Sequence, residues 1–243
     1  MDLGAIGSIT LSWEFAWELL TIIFINIILS GDNAVLIAMA VRPLPKRQRL
    51  QGIAFGSAVA IVLRIVITFF AAQLLLISYV KVAGGLLILW IAVKLFTEEV
   101  GEDGPGREHV TFMQALRIIV VADLVMSLDN VLAVAAASQG NLFLLIFGLV
   151  TSIPLVVGAS SLLSSLMERF PIIVTLGAAI LGKVAGEMII TDPVVVKVLG
   201  TSEMLIYMVE AVCIVFVIAA GKLWQRQKRI AAEKRVLAKE IET

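Results

Sequence analysis

The sequence is poor in the residues that build disulfides and soft-metal sites. It contains one cysteine, Cys213, which excludes an intramolecular disulfide. Its one histidine, His109, stands in a polar segment, where we expect an ordinary solvated side chain. Charged residues are also scarce, at 16%, and the formal net charge is zero, so the composition gives no indication of a nucleic-acid partner.

Apolar residues make up 60% of the 243 positions, and the mean hydropathy is +1.04. Soluble domains are nearer to roughly 45–50% apolar and 25% charged, so the composition predicts a multi-pass membrane protein. Residues 1–18 include no lysine or arginine, which argues against a cleaved signal peptide. We therefore expect the first apolar segment to be retained.

Runs of about twenty apolar residues predict an all-α membrane protein with seven transmembrane helices. Their expected bounds are 17–41, 52–77, 80–96, 112–137, 142–167, 171–191 and 204–223. Residues 1–16 would then be an extracytoplasmic segment, 97–111 an acidic, glycine-rich cytoplasmic loop, and 224–243 a basic cytoplasmic tail. Lysine and arginine concentrate in alternate loops and in this tail, which predicts an external N-terminus and a cytoplasmic C-terminus in the cell (inner or plasma) membrane.

Two matching motifs divide the chain into halves. Ser-x-Asp-Asn occurs at residues 30–33 and again at 127–130, 97 positions further on. Glycines at matching places in the later helices repeat with an offset of 92: Gly56 with Gly148, and Gly85 with Gly177. The chain therefore looks like an internal duplication of a three-helix unit.

Because three is an odd number of helices, the second copy must enter the membrane from the opposite face. The predicted fold is thus a 3+3 inverted-topology repeat, made of residues 17–96 and 112–191, with a seventh helix outside it. Inverted repeats with polar, interrupted helices near the membrane midplane are typical of secondary transporters.

The two motifs put polar side chains where a bilayer makes them costly. An ionised residue at mid-membrane costs roughly 2.5–3.5 kcal/mol on insertion scales, so we expect such residues to pair, line a cavity or bind something. Each motif also has a polar residue four positions before its serine. The candidate metal-site residues are Asp32, Asn33, Asp129, Asn130, Asn26 and Asp123.

Carboxylates and amide carbonyls are hard oxygen donors, and the absence of nearby histidine and cysteine disfavours zinc and copper. The site therefore suits Mg²⁺, Ca²⁺ or Mn²⁺ as transported cargo, and no resident cofactor is expected. Buried carboxylates without a cation tend to hold protons, so cation entry would expel protons and produce cation/proton exchange. The alternative is that these polar residues only bond the helices to one another.

Other charged residues also lie inside predicted helices. Lys183 and Glu187 are four positions apart on the sixth helix, which fits either a structural ion pair or a role in gating or proton passage. Arg64 on the second helix either balances a buried aspartate or reaches toward the membrane interface, and with Lys183 and Glu187 it is a candidate for gating or proton passage. In the first helix, Ser30-Gly31 permits a local break because glycine tolerates unusual dihedral angles, whereas Leu128 offers no such ease in the second motif.

The paired motifs Leu29-Ser30-Gly31-Asp32-Asn33-Ala34-Val35 and Met126-Ser127-Leu128-Asp129-Asn130-Val131-Leu132 resemble those of the TerC family of integral membrane proteins. The resemblance covers nearly the whole chain and is closest to the short branch of the YkoY/YjbE type. It implies a fold similar to the LysE-type transporter superfamily, and metal efflux with manganese as the best-attested cargo. Carried over by position, it implies metal ligation by Asp32, Asn33, Asp129 and Asn130.

Two other classes of function fit part of the pattern. A LysE-like exporter of amino acids fits the fold but needs groups for both an ammonium and a carboxylate. An intramembrane aspartyl protease needs two membrane aspartates that share a proton, yet Leu29-Ser30-Gly31 precedes Asp32 where those enzymes carry Gly-x-Gly. We therefore expect a transporter and not an enzyme, with the lipid bilayer, a divalent metal cation and protons as its partners.

Overall fold

The computed structural model describes residues 13–74, 77–98, 110–137, 142–200 and 202–242. Every regular element in these ranges is an α-helix. The helices are α1 (Trp13–Leu29), α2 (Gly31–Val41), α3 (Lys46–Leu74), α4 (Val80–Thr97), α5 (Phe112–Ala137), α6 (Leu142–Arg169), α7 (Pro171–Ile190), α8 (Pro193–Leu199) and α9 (Glu203–Glu242).

Five of these helices are long and apolar enough to cross a membrane: α3, α4, α6, α7 and α9. They coincide with five of the seven predicted spans. The fourth predicted span is α5, whose bounds are those expected from the sequence. The first corresponds to α1 and α2 together, and neither of these reaches the length of a span alone. The protein is therefore an all-helical, multi-pass membrane protein, while the count of seven spans and the inverted repeat stay predictions.

The break between α1 and α2 falls on Ser30, whose backbone has φ −101° and ψ −1°. Gly31 begins α2 with ordinary helical geometry, so the break does not use the left-handed conformations that glycine permits. The helical ladder resumes at once, because the Ala34 N–H donates to the Ser30 carbonyl at 2.9 Å. The local interruption that the Ser30-Gly31 pair allowed is thus present, but its geometry is that of Ser30.

The short helix α2 lies at the centre of the molecule. All of its residues from Asn33 to Val41 are buried, and it packs against α3, α5, α6 and α7. Apolar residues of these helices join it in one continuous core. Because this part of α2 is buried on every side, Asn33 is held away from both lipid and bulk water.

Small residues set the packing of α7, which lies against both α4 and α9. A Cβ on Gly186 would lie 2.8 Å from the Cα of Glu210, and one on Gly182 would lie 3.0 Å from the Cα of Ile214. Only glycine therefore lets α9 approach α7 this closely, as is common between helices in membranes.

Helix α7 ends at Ile190, one residue before the predicted end of the sixth span, and Asp192-Pro193 begins α8. Asp192 is fully buried, and its carboxylate accepts from the Val194 N–H at 2.9 Å as an N-cap. It also accepts from the Lys81 N–H at 3.2 Å and so joins α8 to the start of α4. Beyond α8, α9 continues through the predicted boundary at residue 223 to Glu242 as one helix of 40 residues.

Candidate functional site

A small cavity lies where α2, α3, α5 and α6 meet beside the break at Ser30. It has room for about one water molecule or bare ion. Its lining combines polar side chains with short apolar ones: Ser30, Asn33, Ile37, Ser57, Ala60, Ile61, Arg64, Asp123, Ser152 and Val156. The cavity is therefore a polar centre between four helices of the protein.

A buried ion pair forms one wall of this cavity. The Arg64 guanidinium on α3 donates through Nη2 to Asp123 Oδ1 on α5 at 3.1 Å, and both side chains are at most 5% exposed. Ser127 completes the group, because its hydroxyl accepts from Arg64 Nε at 3.2 Å and donates to Asp123 Oδ2 at 3.3 Å. The alternative in which Arg64 balances a buried aspartate is thus the one that the structure shows.

Three oxygen atoms that belong to other residues of the lining have no hydrogen-bond partner among the described residues. They are the hydroxyls of Ser30 and Ser57 and the side-chain carbonyl of Asn33. All three atoms are buried, and a buried polar atom left unpaired costs about 1–3 kcal/mol. Unpaired oxygens gathered at one cavity are the arrangement expected of a site that binds a cation or a water molecule.

The helix break positions Asn33 and Asp32. The Asn33 amide nitrogen donates to the Leu29 carbonyl at the end of α1, at 3.2 Å, which leaves its carbonyl oxygen at the cavity. Asp32 Oδ1 accepts from the Asn33 backbone N–H at 2.8 Å in the first turn of α2. The Asp32 carboxylate is partly buried and lies next to the cavity lining without being one of its members.

Three of the nine residues singled out from the sequence line this cavity: Asn33, Asp123 and Arg64. The side chains of Asn26, Asp129 and Asn130 lie outside the described part of the structure, although their backbones belong to α1 and α5. Their assignment to a metal site therefore stays a prediction.

Lys183 and Glu187 lie in a separate group of charges between α7 and α9. Lys183 Nζ is 3.1 Å from Glu187 Oε2 and 3.3 Å from Glu210 Oε1. Lys183 and Glu187 are about half exposed, whereas Glu210 is 8% exposed at its side chain. The ion pair expected from their spacing is present, and a role in gating or proton passage stays a prediction.

Sequence reasoning missed Ser57 and Ser152 as lining residues. A usable signal was present on α3, because Ser57 lies seven positions before Arg64 and so on the same helix face. Ser152 is one of several serines on α6, and the sequence gives no sign that this one lines the cavity. Only the packing of α6 against its neighbours shows it. Among the described side chains, no three His, Cys, Asp or Glu residues come together as a metal-binding group.

The fold and this buried polar centre together define a multi-pass integral membrane protein with a candidate cation site among its helices. The chain belongs to the TerC family of integral membrane proteins, whose family model matches residues 11–229. The match covers both Ser-x-Asp-Asn motifs and all of the cavity lining.

Several relatives from bacteria are similar along much of their length. The membrane protein YjbE of Bacillus subtilis is 36% identical over 216 residues, which cover 89% of this chain and 99% of YjbE. YceF of the same organism is 25% identical over 71% of both chains. The inner membrane protein YgdQ of Escherichia coli is 26% identical over 64% of this chain and 73% of its own. No solved structure matches the chain.

Proposed function

We propose that this protein is a secondary transporter that exports a hard divalent cation, most readily Mn²⁺, in exchange for protons. The observation that carries the proposal is the group of three unpaired, buried oxygens of Ser30, Asn33 and Ser57, which face the same cavity as the Asp123 carboxylate. Hydroxyl, amide carbonyl and carboxylate oxygens are the ligands that Mg²⁺, Ca²⁺ and Mn²⁺ take.

The charge at the site suits a divalent ion. The negative charge of Asp123 is neutralised by Arg64, so Asp123 by itself contributes no net charge to the site. Further negative charge is therefore needed to hold a doubly charged cation. Asp32 and Asp129, one from each motif, supply it: three carboxylates and one guanidinium leave two negative charges. In this proposal the Arg64 guanidinium pairs with the Asp123 carboxylate when no cation is bound. An entering cation competes with Arg64 for that carboxylate.

Exchange for protons follows from the same burial. Burial disfavours the charged form of a carboxylate, so an empty site with excess carboxylates takes up protons and releases them when a cation enters. Cation and protons then occupy the site in alternation, which couples the two fluxes in opposite directions.

Helix pairing supports the inverted repeat that such a mechanism needs. Residues related by the 92-residue offset both line the cavity, since Ala60 corresponds to Ser152 and Arg64 to Val156. The helix contacts show the same relation between the halves. The second helix of the first half, α3, packs against the first helix of the second half, α5; likewise α6 packs against α1 and α2. The third helices of the two halves, α4 and α7, pack against each other. A cavity shared by equivalent helices of two copies is the arrangement through which transporters alternate access.

The direction of transport and the membrane follow from the resemblance and the charge pattern. We propose a location in the cell membrane with the N-terminus outside and the C-terminus in the cytoplasm, where the basic residues of loop 42–49 and the tail lie. The name of the relative YgdQ places that protein in the inner membrane. Efflux of Mn²⁺ through a LysE-like fold is the function that the family resemblance implies.

An amino-acid exporter is the second candidate, because the cavity holds both a guanidinium for a carboxylate and a carboxylate for an ammonium. Two features weigh against it: Arg64 and Asp123 bind each other, and the cavity is far below the roughly 300–1,000 Å³ of pockets for small organic molecules. An aspartyl protease is disfavoured further, since the aspartate in the cavity pairs with an arginine and not with a second carboxylate.

Binding of Mn²⁺ to the purified protein tests the proposed ligands directly. The electron paramagnetic resonance signal of free Mn²⁺ falls on binding, so titration yields an affinity for the wild type and for Ser57→Ala and Asn33→Ala. We expect each variant to bind at least about tenfold more weakly, since one lost ligand oxygen is worth about 1.4 kcal/mol or more.

Ser165→Ala is the matched control, because Ser165 is exposed on α6 and its hydroxyl donates to the Ser161 carbonyl at 3.0 Å. It should bind Mn²⁺ as the wild type does. Competition with Mg²⁺, Ca²⁺ and lysine in the same titration separates the candidates: displacement of Mn²⁺ by lysine alone would favour the amino-acid exporter.

A further inference from the structure

A row of serines continues along α6 from the cavity toward one end of the molecule. Ser152 and Val156 line the cavity, and Ser160 and Ser164 follow at steps of four residues, which keep successive side chains on neighbouring positions of the helix surface. All four are buried, so the row faces the protein interior and not the lipid. From Ser152 to Ser164 the row extends about 18 Å along the helix.

The hydroxyls of Ser160 and Ser164 are buried and have no hydrogen-bond partner in the part of the chain that the structure describes. This is not a general property of serine on this helix. Ser152 donates to the Leu149 carbonyl at 2.7 Å, and the exposed Ser165 donates to the Ser161 carbonyl at 3.0 Å. Burial of an unpaired hydroxyl costs free energy, so its presence at two successive steps of the row indicates that a polar species reaches these positions.

Within the described part of the chain, α6 packs mainly against α1, α2 and α3. Ile61 of α3 packs with Leu145 and Leu149 near the start of α6, and Arg49 of α3 pairs with Glu168 near its end. The two helices therefore run in opposite directions beside each other. The row lies between these two contacts, and Ser57 of α3 faces the cavity at its inner end.

An ion pair covers the outer end of the row. Arg49 contacts Glu168, the next four-residue step after Ser164, and also donates through Nη2 to the carbonyls of Arg42 and Leu44 at 2.9 and 3.2 Å. Arg49 is buried, whereas the Glu168 side chain is about one-third exposed. The pair thus stands between the buried hydroxyls and the surface that carries the basic residues Lys46 and Arg47 at the start of α3.

We propose that Ser152, Ser160 and Ser164 form the cytoplasmic passage to the cation site, and that the Arg49–Glu168 pair is its closed gate. The identity of the cargo, a hydrated divalent cation, rests on the proposed function. When the pair separates, water enters along α6 and hydrates the two hydroxyls, and the cation reaches Ser57 and Asp123 from that side.

Cysteine accessibility tests the passage without any metal. In a Cys213→Ala background, Ser160→Cys and Ser164→Cys are reconstituted in vesicles and treated with a charged, membrane-impermeant methanethiosulfonate from one side at a time. Such reagents react with thiolates, which form in water and are suppressed in apolar surroundings. Ser165→Cys is the matched control at the same depth on the exposed face of the helix.

We expect both passage thiols to react at least about tenfold faster than the Ser165→Cys thiol, because a thiolate persists only where water reaches it. The reaction should occur only from the side that bears Arg49, and Glu168→Gln should accelerate it by weakening the gate. Equal rates at positions 160, 164 and 165, with and without Glu168→Gln, would overturn the passage. If the thiols at positions 160 and 164 react as expected but the protein transports no Mn²⁺, the passage is supported and a divalent cation as its cargo is contradicted.

Discussion

The two Ser-x-Asp-Asn motifs have the same residues but different structures. The first lies at a break, where α1 ends at Leu29 and α2 begins at Gly31, and the Ser30 hydroxyl is unpaired at the cavity. The second lies within the uninterrupted helix α5, where Ser127 bonds to both Asp123 and Arg64. One copy therefore offers free oxygens, and the other offers a carboxylate that already holds a cationic side chain.

Two sequence differences account for this divergence. The variable position of the motif is Gly31 in the first copy and Leu128 in the second, and glycine weakens a helix by about 1 kcal/mol relative to good helix formers. Leu128 is also buried against Ile67, which fixes α5 in place. Four positions before the serine, the first copy has the neutral Asn26 and the second has Asp123, which attracts Arg64. In this protein the first copy of the motif provides unpaired oxygen atoms, and the second copy provides a carboxylate whose charge is balanced by Arg64.

The largest expected effect comes from removing the charge that is specific to the second copy. Asp123→Asn leaves the Arg64 guanidinium buried without its carboxylate, which should destabilise the protein by about 3–5 kcal/mol. The temperature at which the detergent-purified protein loses its monodisperse chromatographic peak should fall sharply. Asn26→Ala at the matching position of the first copy should lower that temperature less, since it leaves no charge unpaired.

Replacing both partners separates the stability of the pair from its function. Asp123→Leu combined with Arg64→Met should recover most of the lost stability, because apolar residues of similar volume often replace a buried ion pair at little cost. The double variant should still fail to bind Mn²⁺. Binding of Mn²⁺ by this folded double variant would show that Asp123 is no ligand.

Exchanging the variable residue between the copies should have unequal effects. Leu128→Gly removes packing against Ile67 and should cost at least about 2 kcal/mol of stability. Gly31→Leu has space for the first atom of its side chain, because a Cβ at Gly31 has no described neighbouring atom within 4 Å. It should instead favour a continuous helix and weaken Mn²⁺ binding by up to about fivefold, the equivalent of roughly 1 kcal/mol. Unchanged Mn²⁺ affinity in folded Gly31→Leu would mean that the break is not needed for binding.

The smallest expected effects distinguish the two serines. Ser127→Ala removes hydrogen bonds to Asp123 and Arg64 and should lower stability by about 1–3 kcal/mol. Ser30→Ala removes a hydroxyl without a partner, so stability should stay the same or rise slightly while Mn²⁺ binding weakens. Thermal stability and the Mn²⁺ titration measure the two quantities separately. Equal losses of stability in both variants would contradict the difference between the copies.

Much of the helical architecture could be predicted from apolar run length alone. The bounds of α5 match the prediction, and those of α4 and α7 differ from it by one residue at one end. The missed helix α8 had a signal, since Asp192-Pro193 is both a stop for α7 and an N-cap with proline at the first helical position. The long α9 follows because no proline or glycine lies between Gly221 and Glu242 to end it.

The candidate site was harder to predict, because its residues come together through packing between distant helices. The motifs indicated Asn33 and the four-residue spacing indicated Asp123, but nothing local connects Arg64 to a partner 59 positions away. The unpaired state of the Ser57 hydroxyl is likewise set by its neighbours on other helices and not by its own sequence context. Periodicity specifies which residues share a helix face, whereas the partner across the interface depends on the tertiary fold.

Transport of Mn²⁺ into proteoliposomes of purified protein, with a pH dye inside and no imposed gradient, tests the proposed exchange most directly. We predict that Mn²⁺ enters while the interior becomes alkaline, and that Asp32→Asn and Asp129→Asn, shown to be folded, abolish both signals while Ser165→Ala keeps them. Mn²⁺ entry without a change in interior pH would contradict exchange for protons. Absence of any divalent-cation movement, or normal transport by both aspartate variants, would contradict the proposed function itself.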